Sequence, residues 1–140
     1  MPDSATSYQQ CCDSHQNCLI CGDANPASLR LNFSLLGDGS VHTLFHPSEI
    51  LQGYPQQLHG GIVSSLLDSA MVHCLFHQGI QAVTADMKIR FVSPILVNSE
   101  VEVMGQLIST RRNIFDMRAD IRLEGKTHAW ASAKFVRLRK

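Results

Sequence analysis

Two hydrophobic periods alternate along the chain. LRLNFSLL (29–36) sets Leu29, Leu31, Phe33 and Leu35 against Arg30, Asn32 and Ser34, a period of two that predicts a strand. GDGS and the short VHTLFH follow, which completes a hairpin signature. HPSEILQGYPQQ, with two prolines, predicts a loop. From Gly60 to His77 the period changes: at about 100° per residue, Val63, Leu66, Leu67, Ala70, Met71 and Cys74 form one broad stripe, with Leu75 at its edge and Val72 and Phe76 behind. This predicts a helix that is apolar nearly all round and hence largely buried. Strand period then returns. VTADMKIRF (83–91) alternates Val83, Ala85, Met87, Ile89 and Phe91 against Thr84, Asp86, Lys88 and Arg90, so one face is expected to be buried. EVEVMGQLI is a further strand with Gly105 as an expected bulge, FDMRADIRL (115–123) alternates again, EGK turns, and THAWASAKFVRLR closes the sheet.

The order strand, strand, long apolar helix, four strands with mostly short connections predicts an α+β domain whose antiparallel sheet wraps the helix. A helix apolar on more than one side needs a second surface, and another copy of the chain is the expected source. Residues 1–28 are polar and Cys-rich and end in the turn-like GDANPAS, so they are expected to form a lead-in segment to a single domain over 29–140.

Length agrees with one domain: 140 residues bury a core without disulfide staples. With 12 basic and 12 acidic residues nothing favours nucleic acid or an anionic membrane as partner. The first twenty residues lack a basic start followed by an apolar segment, and no apolar run approaches the roughly 18 residues of a membrane span, so a cytoplasmic protein is expected. Four of five cysteines crowd into residues 11–21 and the fifth is Cys74, a spacing that suits a reducing compartment better than a secreted disulfide scaffold. Cys18, Cys21 and His15 stand at ligand-like intervals, with Cys11 or Cys12 available as a fourth donor. The distant second pair of a usual zinc module is missing, so free or partly buried thiols are expected and no metal is assigned. His73 and His77 lack an evident third ligand and are expected to serve packing or solvent contact.

Charge changes the picture most at Asp68. From Ile50 through Ala85 it is the only Asp, Glu, Lys or Arg, although charged residues make up 17% of the chain. On the helix it falls beside Ser64, Met71, Leu75 and Val72, a mostly apolar setting. A surface carboxylate is the ordinary fate of an Asp; isolation in an apolar stretch favours a functional acid instead. Just upstream, HGG (59–61) places two glycines at a helix N-terminus, where unshielded N–H groups and the positive end of the helix dipole suit an oxyanion. Gly61 and Asp68 stand about 10 Å apart along a helix axis, too far to hold one reacting group, so one chain is not expected to assemble the site alone.

HGG with Asp68 seven positions after its second glycine, VTADMKIRFVSPI with Thr84 and Ser93-Pro94, the CLICGDANP lead-in and the order of elements resemble the hot-dog-fold acyl-CoA thioesterases of the 4-hydroxybenzoyl-CoA and phenylacetate-pathway type. The resemblance runs from about Cys18 to the C-terminus. It implies the hot-dog fold, five to six antiparallel strands wrapped around one long central helix. It implies an acyl-CoA thioesterase without a cofactor, working as a homodimer or dimer of dimers with sites at the dimer interface. The backbone N–H of Gly60, with Gly61 beside it, would polarise the thioester carbonyl, and Asp68 would act as general base or nucleophile. Thr84 would position the water or the acid, and His59 would shape the oxyanion end. Gly61, Arg111 and Arg112 would contact substrate, the arginines through coenzyme A phosphates. Plainer roles stand beside these: a polar-face strand residue for Thr84, a helix cap for His59, solvated turn charge for the arginines. Many phenylacetate-type members carry asparagine where this chain has Gly53, so substrate preference does not transfer; an acyl slot lined by Met71, Leu75 and Phe91 would suit aromatic or aliphatic groups. The competing function is a non-catalytic acyl-thioester binding or regulatory module, which has no need of Asp68. A hydratase or dehydratase on the same fold is weaker, its histidine pattern being absent.

Overall fold

The computed structural model describes residues 4–138. The end of the basic VRLRK tail, Arg139 and Lys140, lies outside the described residues, as do residues 1–3. In chain order the elements are α1 (Ser4–Asp13), β1 (Ser34–Leu35), β2 (Val41–Phe45), a short 3-10 turn at Glu49–Leu51, α2 (Gly60–His77), β3 (Ala82–Phe91), β4 (Val101–Arg111), β5 (Ile114–Leu123) and β6 (Lys126–Arg137). The strands form one antiparallel sheet in the order β1-β2-β4-β5-β6-β3, with α2 against its inner face.

The helix has the predicted bounds and both ends have local causes. His59 caps the start, and the end is a left-handed Gly79 (φ 74) whose N–H bonds Phe76 O while the Ile80 N–H bonds Leu75 O. That double closure satisfies carbonyls the last turn would otherwise leave bare. Leu66, Leu67, Ala70, Met71 and Cys74 are buried against inward residues of β4, β5 and β6 such as Val103, Ile121 and Phe135. Small residues make room for the helix: Ala119 stands opposite Ala131, and Ala129 opposite Ile121. The outward residues of the same strands are polar and pair across the sheet, as Lys134 Nζ does with Asp116 Oδ1 at 2.7 Å.

Gly105 is not a bulge. It stays in register opposite Val41 and Ala119. Its lack of a side chain serves the approach of α2: a Cβ there would lie 2.5 Å from Ala70 O. The register shifts fall instead between Thr84 and Asp86, between Leu107 and Ser109, and between Ile121 and Arg122.

Three other expectations change. The first strand shrinks to Ser34–Leu35, because Leu29 and Leu31 donate their N–H groups to Leu19 O and Ile20 O of the lead-in; Leu31 and Phe33 are nonetheless buried, as the alternation requires. The lead-in itself contains α1, which packs on α2. The Tyr8 ring stacks on His77 (centroids 3.6 Å, planes 8° apart) and its hydroxyl lies 2.7 Å from His73 Nδ1. His73 is buried there, and burial holds its pKa down to about 3, so the ring is neutral. Part of the second surface α2 needs therefore comes from its own chain. Finally, β3 is an edge strand whose expected buried face is only half covered, with Val83 51% and Phe91 56% exposed and Met87 and Ile89 half-buried. Among the described residues no helix is long and apolar enough to cross a membrane.

Gly105→Ala is expected to destabilise the fold by on the order of 3 kcal/mol, the upper range for forcing atoms into a packed contact, since backbone rather than a mobile side-chain end must give way. A urea titration should show a lower midpoint with an unchanged slope.

Candidate active site

The loop before α2 is held by the His59 N–H bonding Leu51 O at 2.9 Å. His59 then leaves extended geometry (φ -59, ψ 134), and its side chain turns back so that Nδ1 accepts from the Gly61 N–H at 2.8 Å. The next two amides, Ile62 and Val63, both donate to His59 O at 3.0 Å. Among the described residues no acceptor meets the Gly60 N–H, so this amide is left facing outward at the positive end of α2. The second glycine has a steric cause: a Cβ on Gly61 would sit 3.0 Å from His59 Nδ1 and 3.1 Å from Cε1. The expectation that Gly61 offers a free donor is thus corrected, because the imidazole already occupies its N–H. His59 serves as the cap. Gly60 lines a cavity of about 330 Å³ with Val63, Phe91, Pro94 and Ile95 on its apolar walls and Tyr54 at its edge.

Two turns on, Asp68 is half-buried on the helix flank. Thr84 Oγ1 donates to its Oδ1 at 2.5 Å. The register shift after Thr84 in β3 lies beside this contact, a common place for a bulge to re-aim a side chain. The acid lines a second cavity, about 280 Å³, together with Ser64, Ser65, Val72 and Met87 and, unexpectedly, His15, Cys18 and Cys21 of the lead-in. Burial pushes the Asp68 carboxyl above the usual carboxylate range, while the Thr84 hydroxyl and the nearby His15 pull the other way. Its surroundings are therefore more polar than the helix pattern alone suggested. The ligand-like spacing of His15, Cys18 and Cys21 was visible in the sequence, but their meeting with Asp68 is a contact between distant segments.

The remaining candidates lie elsewhere. Met71 and Leu75 are buried in the core and line neither cavity, whereas Phe91 lines the one beside Gly60. Arg111 ends β4 and Arg112 (φ 54) turns the chain into β5; both are exposed and line neither cavity. Gly53 packs on the cap, where an added Cβ would stand 3.5 Å from the His59 ring. His77 Nε2 is 2.8 Å from Phe33 O, so His73 and His77 both serve packing between α1, α2 and the segment before β1. Gly60 and Asp68 face different cavities, separated by about 12 Å of helix axis.

The family model of the thioesterase superfamily matches residues 56–129, just over half of the chain and the span from the glycine turn to β6. The chain belongs to the thioesterase superfamily. Acyl-coenzyme A thioesterase THEM4 of Rattus norvegicus is 33% identical over 97 residues, which is 68% of this chain and 42% of that protein; this superfamily member thus spans less than half the length of that relative. Among solved structures, the E. coli PaaI protein from the phenylacetic acid degradation operon superposes with a TM-score of 0.79 at 20% identity, covering 98% of this chain and 97% of its own. A hypothetical thioesterase of Streptococcus pneumoniae with coenzyme A gives a TM-score of 0.70 at 17% identity, covering 79% and 98%. The architecture is the hot-dog fold these thioesterases share.

The raised pKa of Asp68 has a stability consequence of definite sign. An acid that is harder to ionise in the folded state favours folding while protonated and loses that contribution as pH rises from its unfolded pKa, about 3.9, through its higher folded value. Asp68→Asn, which keeps an acceptor for Thr84, is expected to raise the melting temperature at neutral pH, and the gain should vanish in acid. Thermal melts of both proteins across pH check this.

Proposed function

We propose that the chain hydrolyses acyl-CoA thioesters, with Asp68 as general base or nucleophile and the Gly60 N–H as oxyanion donor. The observation that carries the reading is the desolvated Asp68 in a cavity, a carboxylate whose side-chain hydrogen bond among the described residues is to the Thr84 hydroxyl that aims it. Coenzyme A as the thiol component is supported by the name of the rat relative and by the coenzyme A in the streptococcal structure. Asp68 takes the proton of an attacking water, or attacks the carbonyl carbon itself to give a mixed anhydride that water then cleaves to the free acid and the Asp68 carboxylate. The carbonyl π electrons move onto oxygen, where the Gly60 N–H receives the charge; collapse of the adduct expels the coenzyme A thiolate, which takes up a proton. Thr84 holds one carboxylate oxygen and leaves the other for the reaction.

The separation of Gly60 from Asp68 on one helix supports two sites per homodimer, each built from Gly60 of one copy and Asp68 of the other, with a dimer of dimers as the larger form. Arg111 and Arg112 belong to this proposal as contacts for coenzyme A phosphates, and Phe91 as a wall of the acyl slot. Cytoplasmic placement belongs here too, supported by the crowding of four cysteines into residues 11–21, a spacing that suits a reducing compartment better than a disulfide scaffold. In the competing reading, an acyl-thioester binding module, the acid would be dispensable.

Assay of a panel of acyl-CoAs for free thiol release separates the two. Asp68→Asn and Asp68→Ala are expected to lose at least ~100-fold in turnover; unchanged hydrolysis rejects the assignment. Gly60→Pro deletes the proposed donor at the first helical position, where proline is tolerated, and its Cβ would meet only the Phe91 ring at ordinary contact distances. A loss of ~100-fold or more is expected. Mixing unfolded Asp68→Asn and Gly60→Pro chains and refolding them together should restore roughly a quarter of wild-type activity if each site draws on two copies, because half the dimers then hold one intact site. No recovery, or a strictly monomeric active enzyme on gel filtration, sinks the shared site.

The acid limb of the kcat/KM profile should lie above the pH of an ordinary aspartate. Thr84→Val removes a hydrogen bond to the ionised form and is expected to move that limb to still higher pH; a limb that stays or falls removes Thr84 from this role.

A further inference from the structure

The lead-in after α1 is wound around three donors. A ring nitrogen of His15 and the sulfurs of Cys18 and Cys21 all lie within 4.8 Å of one another. A tetrahedral zinc ion at ordinary bond lengths would space a nitrogen and a sulfur ligand by about 3.6 Å. His15 Nδ1 and Cys21 Sγ are 3.7 Å apart.

The backbone holds this arrangement independently of the side chains. Cys18 N–H bonds His15 O at 3.0 Å, Gly22 N–H bonds Cys18 O at 2.9 Å, and Ala24 N–H bonds Gln16 O at 2.8 Å, so the segment closes on itself. The Ile20 N–H points at Cys18 Sγ, 3.3 Å away, which helps fix the position of that sulfur. Gly22 is enforced by closeness, since a Cβ there would lie 2.3 Å from Gln16 O. The His15 ring is fixed edge-on to Phe76 of α2, centroids 5.1 Å apart.

We propose that His15, Cys18 and Cys21 bind one zinc ion, which closes the lead-in segment on itself in the cavity beside Asp68. This departs from the expectation of free thiols, because the fold supplies what ligand spacing alone did not: three donors converging on one point. Two thiols and an imidazole are a borderline-soft set suited to zinc, and binding needs no oxidant or reductant; the two thiol protons leave to solvent as the sulfurs bond the ion. All three donors line the cavity that Asp68 lines, so a water in that cavity supplies the fourth ligand. The site stands on its own geometry whether or not the chain hydrolyses thioesters.

The full chain, purified without chelator, should carry close to one zinc per chain by elemental analysis. Titration of the metal-stripped protein with cobalt should produce a thiolate-to-cobalt charge-transfer band with the intense visible absorption of tetrahedral coordination. Cys18→Ser with Cys21→Ser should weaken cobalt affinity at least ~100-fold, as loss of two of three protein ligands demands. His15→Gln should weaken it while retaining the thiolate band, and Cys74→Ser, remote from the donors, should change nothing. Circular dichroism of each variant separates loss of ligands from loss of fold. Hydrogen exchange adds a readout within the intact chain: zinc should slow exchange at residues 15–24 and leave β4 to β6 unchanged. Equal cobalt binding by the double-serine variant overturns the site, as does the absence of a thiolate band. So does a Cys18–Cys21 disulfide in protein handled without oxidant.

Discussion

The depth at which α2 sits in the sheet is set by one contact, the backbone of Gly105 against the carbonyl of Ala70. Protein interiors close to crystal density, and a helix cannot be lifted by one methyl group without opening a gap along its whole buried stripe. Because α2 is a rigid rod, fixing it at Ala70 also fixes its next residues toward the N-terminus. Asp68 is two positions from that contact, and the same depth brings its carboxyl to Thr84 on β3 while leaving the Gly60 N–H at the free end of the rod. Site geometry is thus inherited from core packing, with the glycine turn and the acid serving as fixed points on one helix.

Electrostatically, α2 carries an unusual load for a core helix. Its apolar stripe lies against the sheet, but its flanks hold a carboxylate that is hard to ionise and a histidine that is hard to protonate. Both are tolerated because each has one hydrogen-bonding neighbour from outside the helix, Thr84 for the acid and Tyr8 for the imidazole. The lead-in brings the second of these, and His15 with it. A segment with no hydrophobic stripe of its own therefore helps decide the polarity around the helix.

Much of this was legible in the sequence. Period-two alternation located the last four strands and the first hairpin, and the change of period located α2, because each element buries a face whose residues recur at its own repeat. The isolation of Asp68 in a charge-free stretch marked the acid. What stayed hidden depends on contacts between distant segments. SATSYQQCCD has no apolar stripe, so α1 could not be seen; Tyr8 and Cys11 anchor it on a surface that exists only after α2 has packed. Residues 29–33 carry strand alternation, yet two of their N–H groups bond the lead-in, so they do not extend the sheet. Gly105 looked like a bulge because periodicity cannot distinguish an extra residue from a missing side chain. Gly61 looked like a donor because the cap role open to His59 did not say which amide its imidazole would occupy. His15, Cys18 and Cys21 were conspicuous by spacing alone; their meeting with Asp68 was not.

The two ends of the sheet are unlike. At one, β1 is two residues long and offers little backbone for pairing; at the other, among the described residues, ten-residue β3 pairs only with β6 and leaves its far side bare, with Val83 and Phe91 exposed upon it. A long bare rim is an invitation to polymerise when both rims of a molecule are long. Here only one is. If two copies join rim to rim through β3, each spends its single adhesive border, and the twelve-strand ribbon that results terminates in stubs, so growth stops at a pair where a symmetric slab would run on into a fibre.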